Sequence, residues 1–255
     1  MEPDDLVREM EVAGVDRAVV VPMMPPERDQ LTQTNQTAVA MAHDQPDRFA
    51  VMGLFDLTKP ENAGLLTTWR STRGMLGVRV AFLRDPNLSL LTEDGLEWFW
   101  SAAEEARIPI MLLAPEHAGK IEKVAAEHPR LRLVIDHLNL HPAGVYDDLV
   151  PVLKPLLGLA KHDNVAVKAS ALPCWARGTY PFRSLHEPIR RVVEAFGPHR
   201  LFWGSDLTRL PCSYSECVRL FTEELPFLDD DDKSWIMGRG LMDWLRWDVE
   251  KTVAT

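Results

Sequence analysis

Two residues in this chain stand where an acid and a base could act on a small molecule. The first is Asp206. It closes Arg200-Leu-Phe-Trp-Gly-Ser-Asp206, which opens apolar and β-prone, breaks at Gly204 and ends polar. Such a stretch reads as a buried strand carrying a carboxylate to its C-terminal tip, with Gly204 permitting an unusual backbone angle. The C-terminal ends of parallel strands are where α/β enzymes hold their chemistry. A plainer reading stays open: Asp206 merely caps the helix that follows. The second residue is His137, which ends the apolar run Leu131-Arg-Leu-Val-Ile-Asp-His137. A neutral imidazole there could bind a metal or hydrogen-bond a substrate carbonyl. Its plainer reading is a satisfied histidine at a strand end.

Both residues need a scaffold that delivers strand tips to one place. Apolar runs at 18–23, 49–55, 74–82, 108–114, 131–137, 165–170 and 201–205 read as seven buried strands. Helical patterns cover about 1–13, 33–44, 62–72, 93–106, 117–128, 147–160 and 183–196, and two more close the chain near 213–225 and 230–247. The Asp229–Asp232 run precedes an apolar helix and reads as its N-terminal cap. Near-continuous apolar strands alternating with helices imply a parallel sheet covered on both faces. The repeat of about 30 residues fits the unit of a (β/α)8 barrel. The expected fold class is therefore α/β, a TIM-barrel-like single domain over residues 1–255, with seven of eight strands recognisable and the first strand missing.

Bulk properties narrow the function. The 255 residues are 46% hydrophobic, enough for a full core. A net charge of −10 argues against nucleic acid or an anionic membrane as partner, though not against a small anionic substrate. No run of eighteen apolar residues occurs, so no membrane span is expected. The opening residues are charged and polar, unlike a signal peptide. Three cysteines, none in a C-x-x-C spacing, suit a reducing, cytoplasmic setting.

Five ordered motifs resemble one family. Val134-Ile-Asp-His-Leu-Asn is similar to a "VIDHxG" strand, Val165-Ala-Val-Lys-Ala-Ser to "VxVKLSG", and Arg200-Leu-Phe-Trp-Gly-Ser-Asp to "RLxWGSDWP". Ala13-Gly-Val-Asp-Arg-Ala-Val-Val-Val resembles "AGVDRAVLV", and Ile236-Met-Gly-Arg-Gly resembles "IxGxNA". These are motifs of the amidohydrolase-related family, which includes 2-pyrone-4,6-dicarboxylate lactonase and aminocarboxymuconate-semialdehyde-decarboxylase-like enzymes. The resemblance implies a (β/α)8 barrel with its site at the C-terminal strand ends. It implies a hydrolase that opens a lactone or amide-like bond in a small carboxylated ring by water attack. Asp206 would take the proton from water, and His137 would polarise the carbonyl or help hold a metal. Decarboxylation of a related acid is the alternative within the family.

Other residues would then bind substrate. Arg79, in Gly77-Val-Arg-Val, resembles a family arginine that holds a carboxylate by a two-point bond; the pattern does not fix which way it faces. Lys168 matches a strand lysine, for a site role or a buried ion pair. The loop after the sixth strand carries Trp175, Arg177 and Tyr180, which suit a planar carboxylated ring, or simply a packed loop. The chain departs from the family in lacking any His-x-His, the pair expected on a strand ahead of Met1. His137 and Asp206 are two ligands where a catalytic metal takes three or more, so one divalent metal such as zinc and no metal at all are both open. His141 is a further ligand candidate. A barrel short of one strand leaves edges at Ala18–Met23 and Leu201–Ser205, which a homodimer would cover. A non-catalytic barrel kept for binding or assembly is the reading from a different class.

Overall fold

A computed structural model of the chain describes residues 3–247. Its centre is one all-parallel sheet of seven strands in chain order: β1 (Ala18–Val20), β2 (Phe49–Leu54), β3 (Met75–Ala81), β4 (Ile110–Leu113), β5 (Leu133–Ile135), β6 (Val165–Ser170) and β7 (Leu201–Gly204). The sheet curls until its two edge strands line one shared cleft, so it forms the greater part of a (β/α)8 barrel. The helices outside are α1 (Pro3–Ala13), α2 (Leu31–Asp44), α3 (Asn87–Thr92), α4 (Glu97–Glu105), α5 (Ala118–Glu127), α6 (Leu149–Val152), α7 (Lys154–Leu157), α8 (His186–Phe196), α9 (Tyr214–Thr222), α10 (Asp230–Ser234) and α11 (Gly240–Leu245).

Strand periodicity sorts the side chains into two sets. Val78, Val80, Ile110, Leu112, Leu133, Ile135, Val165, Val167 and Leu201 face outward and pack under the helices. Ala50, Met52, Leu76, Met111, Val134, Ala166 and Phe202 face inward, closed below by Trp244, Leu245 and Trp247. Two residues further along the same inward rows, the chemistry changes. Val134 gives way to Asp136, Ala166 to Lys168 and then Ser170, and Phe202 to Gly204. The barrel is thus apolar at one end and charged at the other.

A bulge decides where Arg79 points. Val51 pairs with Met75 but Met52 pairs with Gly77, so Leu76 is an extra residue on β3. Met75 faces outward against the helices. Strict alternation from Met75 would send Arg79 outward too. The extra residue reverses the facing, and Arg79 lies beside inward-facing Met111.

Three helical expectations change in form. Residues 60–71 wind as a 3-10 helix, where Thr67 and Thr68 hydroxyls bond back to the Gly64 and Leu65 carbonyls. The segment expected at 147–160 breaks into α6, α7 and a 3-10 turn, with Pro151 and Pro155 lacking the N–H an unbroken helix needs. The closing helix carries a π-turn at Trp235–Arg239. Its expected cap is present: Asp229 accepts from the Asp232 N–H in a reciprocal capping box. His128, at the end of α5, is buried against Glu97 and Glu104.

Candidate active site

The polar residues converge because three strand ends turn sharply. His137, Leu138 and Asn139 after β5, Ala171 after β6 and Asp206 after β7 all take positive φ, between 51° and 58°. Non-glycine residues pay about 1–2 kcal/mol each for that conformation, and such strain gathers at functional sites. Asn139 holds its turn in place: its amide donates to the Ala114 carbonyl at 2.8 Å and its oxygen accepts from the Ala114 N–H at 3.0 Å. Gly204 is not needed for its dihedral, as the sequence suggested. It is needed for space, since a Cβ there would lie 2.9 Å from the Ser170 Cβ. The left-handed angle falls on Asp206 instead.

His137 and Asp206 meet. His137 Nε2 lies 3.6 Å from Asp206 Oδ2, and His137 Nδ1 lies 2.7 Å from Ser170 Oγ. The His137 ring is buried, while the Asp206 side chain keeps 34% of its surface. Asp206 makes no capping bond to the turn Leu207–Arg209, so its carboxylate is not spent on the role that was its plainer reading. Arg209 approaches it at 3.4 Å, lies over the Trp175 ring at 5.7 Å and donates to the Pro142 carbonyl. Trp175 in turn sits 6.2 Å from the His137 ring.

Beneath this pair lies a buried ion cluster. Asp136, 2% exposed, forms an ion pair with Lys168 Nζ at 2.8 Å through one oxygen and accepts a hydrogen bond from Arg79 Nε at 3.0 Å on the other. Burial alone would raise the Asp136 pKa. The facing Lys168 and Arg79 charges outweigh it and hold the carboxyl far below its ordinary range. Burial lowers the His137 pKa, and Lys168 and Arg79 act the same way, against the opposing pull of Asp136 and Asp206. The balance favours the neutral imidazole. With a neutral imidazole, the charges of Arg79, Lys168, Asp136 and Asp206 cancel. A cleft of about 680 Å³ opens beside Lys168, Ser170 and Asp206, between half-buried β1 and the half-buried C-terminal end of β7.

The other expected residues lie elsewhere or have other partners. The Tyr180 hydroxyl donates to Glu224 at 2.6 Å, which pushes its pKa up to about 12, and Arg219 covers its ring. Arg177 pairs with Asp147 on an exposed rim. His141 Nδ1 accepts from the Ala143 N–H in its own loop. Ser170 and Arg209 were not anticipated. Ser170 had a readable signal, lying two residues beyond inward-facing Lys168. Arg209 had none beyond its spacing from Asp206.

The geometry also bears on a metal. Two donors about 2.1 Å from one tetrahedral ion sit roughly 3.4 Å apart, close to the His137–Asp206 separation. No group of three or more His, Cys, Asp or Glu suited to an ion occurs among the described residues. The described donor set is thus one short of a catalytic centre.

The fold is a barrel with a histidine and an aspartate at the C-terminal tips of different strands, over a buried ion cluster. Residues 2–239 match the amidohydrolase family model. The chain belongs to the amidohydrolase family, and is a hydrolase of that family. It is 30% identical over 219 residues to an L-fucono-1,5-lactonase of Burkholderia ambifaria, covering 80% of this chain and 69% of that protein. A second L-fucono-1,5-lactonase, from Burkholderia multivorans, is 26% identical, and the match spans 65% of its length. Among solved structures, an amidohydrolase from Burkholderia multivorans with bound zinc superposes with a TM-score of 0.81 at 23% identity, covering 96% of this chain and 88% of that one. These likenesses establish the barrel fold.

Proposed function

We propose that the protein hydrolyses the ring ester of a small lactone at the tips of β5, β6 and β7. The observation that carries this is the apposition of a buried His137 to a solvent-reaching Asp206 beside the cleft. Asp206 takes a proton from water as the water oxygen attacks the ring carbonyl. The carbonyl carbon–ring oxygen bond breaks, and the proton returns to the leaving oxygen, giving an open hydroxy acid. Ser170 fixes the His137 ring so that Nε2 faces the reacting carbonyl. Lys168 lines the cleft and shares the Asp136 counter-charge with Arg79, so it is the cation placed to meet a substrate carboxylate or ring hydroxyl. Arg177 and Tyr180 would serve at the rim only by leaving Asp147 and Glu224. The likeness to L-fucono-1,5-lactonases supports a sugar lactone as the first substrate to try.

The setting proposed is cytoplasmic, with all three cysteines as free thiols. No described helix is long and apolar enough to cross a membrane. The half-exposed edges support a homodimer, which light scattering checks.

The test is a panel of sugar 1,5-lactones and pyrone carboxylates, each assayed after chelation and again with added zinc or manganese. Release of acid from at least one lactone, lost in Asp206→Asn, is the expected result. Release of carbon dioxide without ring opening would replace lactonase with decarboxylase. No turnover of any compound under either metal condition would overturn the reading.

A further inference from the structure

The opposite mouth of the barrel holds a second cavity. It lies at the N-terminal strand ends, among the residues that lead into β4 and β5, and has a volume of about 480 Å³. That is room for a small metabolite. Its walls carry five arginines, Arg70, Arg107, Arg130, Arg132 and Arg246, against two acids, Glu104 and Glu105. Among the described residues the lining is net positive, in a chain whose net charge is −10. Gathering like charges costs free energy unless something of opposite sign joins them.

The five differ in how they are held. Arg132 Nη1 donates to the carbonyls of Asp243 and Trp244 at 2.9 and 2.7 Å, and its guanidinium lies 5.4 Å from the centre of the Trp244 ring. Arg70 donates to the Arg246 carbonyl at 2.8 Å. These two bind the wall together. Arg130 reaches Glu104 at 3.3 Å while remaining mostly exposed. Arg107 and Arg246 both have positive φ, and their guanidinium groups meet no acceptor among the described residues. Trp244 is 8% exposed, and its indole N–H has no acceptor among the described residues. Buried donors are rarely left so. The apolar floor is Ile108, Pro109 and Leu131.

We propose that this cavity is a binding site for a small multiply charged oxyanion, a phosphate ester or a polycarboxylate, gripped by Arg107 and Arg246 with Arg130 at the rim. Planar guanidinium forks match such groups two bonds at a time. The site is separate from the His137–Asp206 pair and does not depend on the catalytic reading. Strand β5 connects them: Arg132 precedes it and His137 follows it, five residues or roughly 16 Å along an extended chain.

Isothermal titration with inorganic pyrophosphate and with citrate, at fixed ionic strength, tests the proposal on the full chain. Saturable one-site binding of either probe is expected, weakened at least tenfold in Arg107→Gln/Arg246→Gln. Binding of pyrophosphate alone would identify the phosphoryl class, and of citrate alone the polycarboxylate class. Arg130→Gln, on an exposed side chain, repeats the test should the double variant fold poorly, and a severalfold loss is expected. Arg191→Gln, on α8, controls for general charge and should bind as the parent does. Absence of saturable binding would overturn the proposal. So would binding untouched by the cavity variants, or lost equally in Arg191→Gln.

Discussion

Ser170 Oγ lies 2.7 Å from His137 Nδ1, a hydrogen bond that joins the last residue of β6 to the tip of β5. Ser170 is fully buried, so no water competes for the ring nitrogen. The bond sets the ring plane and leaves Nε2 toward Asp206. Replacing Ser170 with Ala should free the ring to rotate while the barrel stays folded. A fall in kcat of roughly 10- to 100-fold is expected, the range seen when a group that orients a site histidine is removed. KM should move little. Steady-state kinetics on the best lactone decide it, and an unchanged kcat would refute the orienting role.

Asp206→Asn keeps the shape of the side chain and removes its basicity. The carboxylate is one-third exposed and makes no capping bond, so the fold should barely register the change. Turnover should fall on the order of 100-fold or more, as expected for loss of a general base. Thermal denaturation beside the activity assay separates the two effects. A variant that loses several degrees of Tm along with its activity would argue for a structural carboxylate.

Asp136→Asn should behave in the opposite way. It leaves Arg79 and Lys168 buried without their counter-charge, a change that costs about 3–5 kcal/mol in comparable buried pairs. Urea unfolding should show a markedly lower midpoint with a similar slope. Stability within 1 kcal/mol of the parent would mean that water already screens the cluster.

Stability should fall in acid in two steps. The folded His137 pKa lies below the unfolded value of 6.5, so the unfolded chain takes up that proton first. The contribution is complete above pH 6.5 and shrinks as pH drops toward the folded value. The folded Asp136 pKa lies below 3.8, so its contribution is complete above that pH and is lost beneath it. Urea midpoints from pH 8 to pH 3 should trace the first step and the onset of the second, and His137→Asn should abolish the first alone. A midpoint that improves between pH 6.5 and 5 would contradict the assignment of a neutral imidazole.

Much of this was written in the order of residue types. Seven apolar runs became seven strands in the same order, since a strand buried on both faces must read as a continuous apolar run. The meeting of His137 with Asp206 followed once both were set at strand tips. Arg79 could not be placed this way, because one extra residue in β3 inverts the alternation and no local pattern announces it. Tyr180 and Arg177 sit on a loop whose partners, Glu224 and Asp147, are 44 and 30 residues away in the chain. Such pairings depend on how separate segments fold over one another. The role of Gly204 was also hidden, because the neighbour it makes room for lies on another strand.

The two edge strands have a dynamic consequence. Every residue of β2 is buried, whereas β1 is only half-buried along its length, as are Trp203 and Gly204 of β7. Among the described residues, each edge strand is bonded to a neighbour on one flank alone. Deuterium should therefore enter the molecule along this seam, labelling β1 and β7 amides long before those of β2 or β5. Because Asp206 hangs from one lip of the seam and His137 from a protected interior strand, the same breathing would let the carboxylate swing while the imidazole stays still.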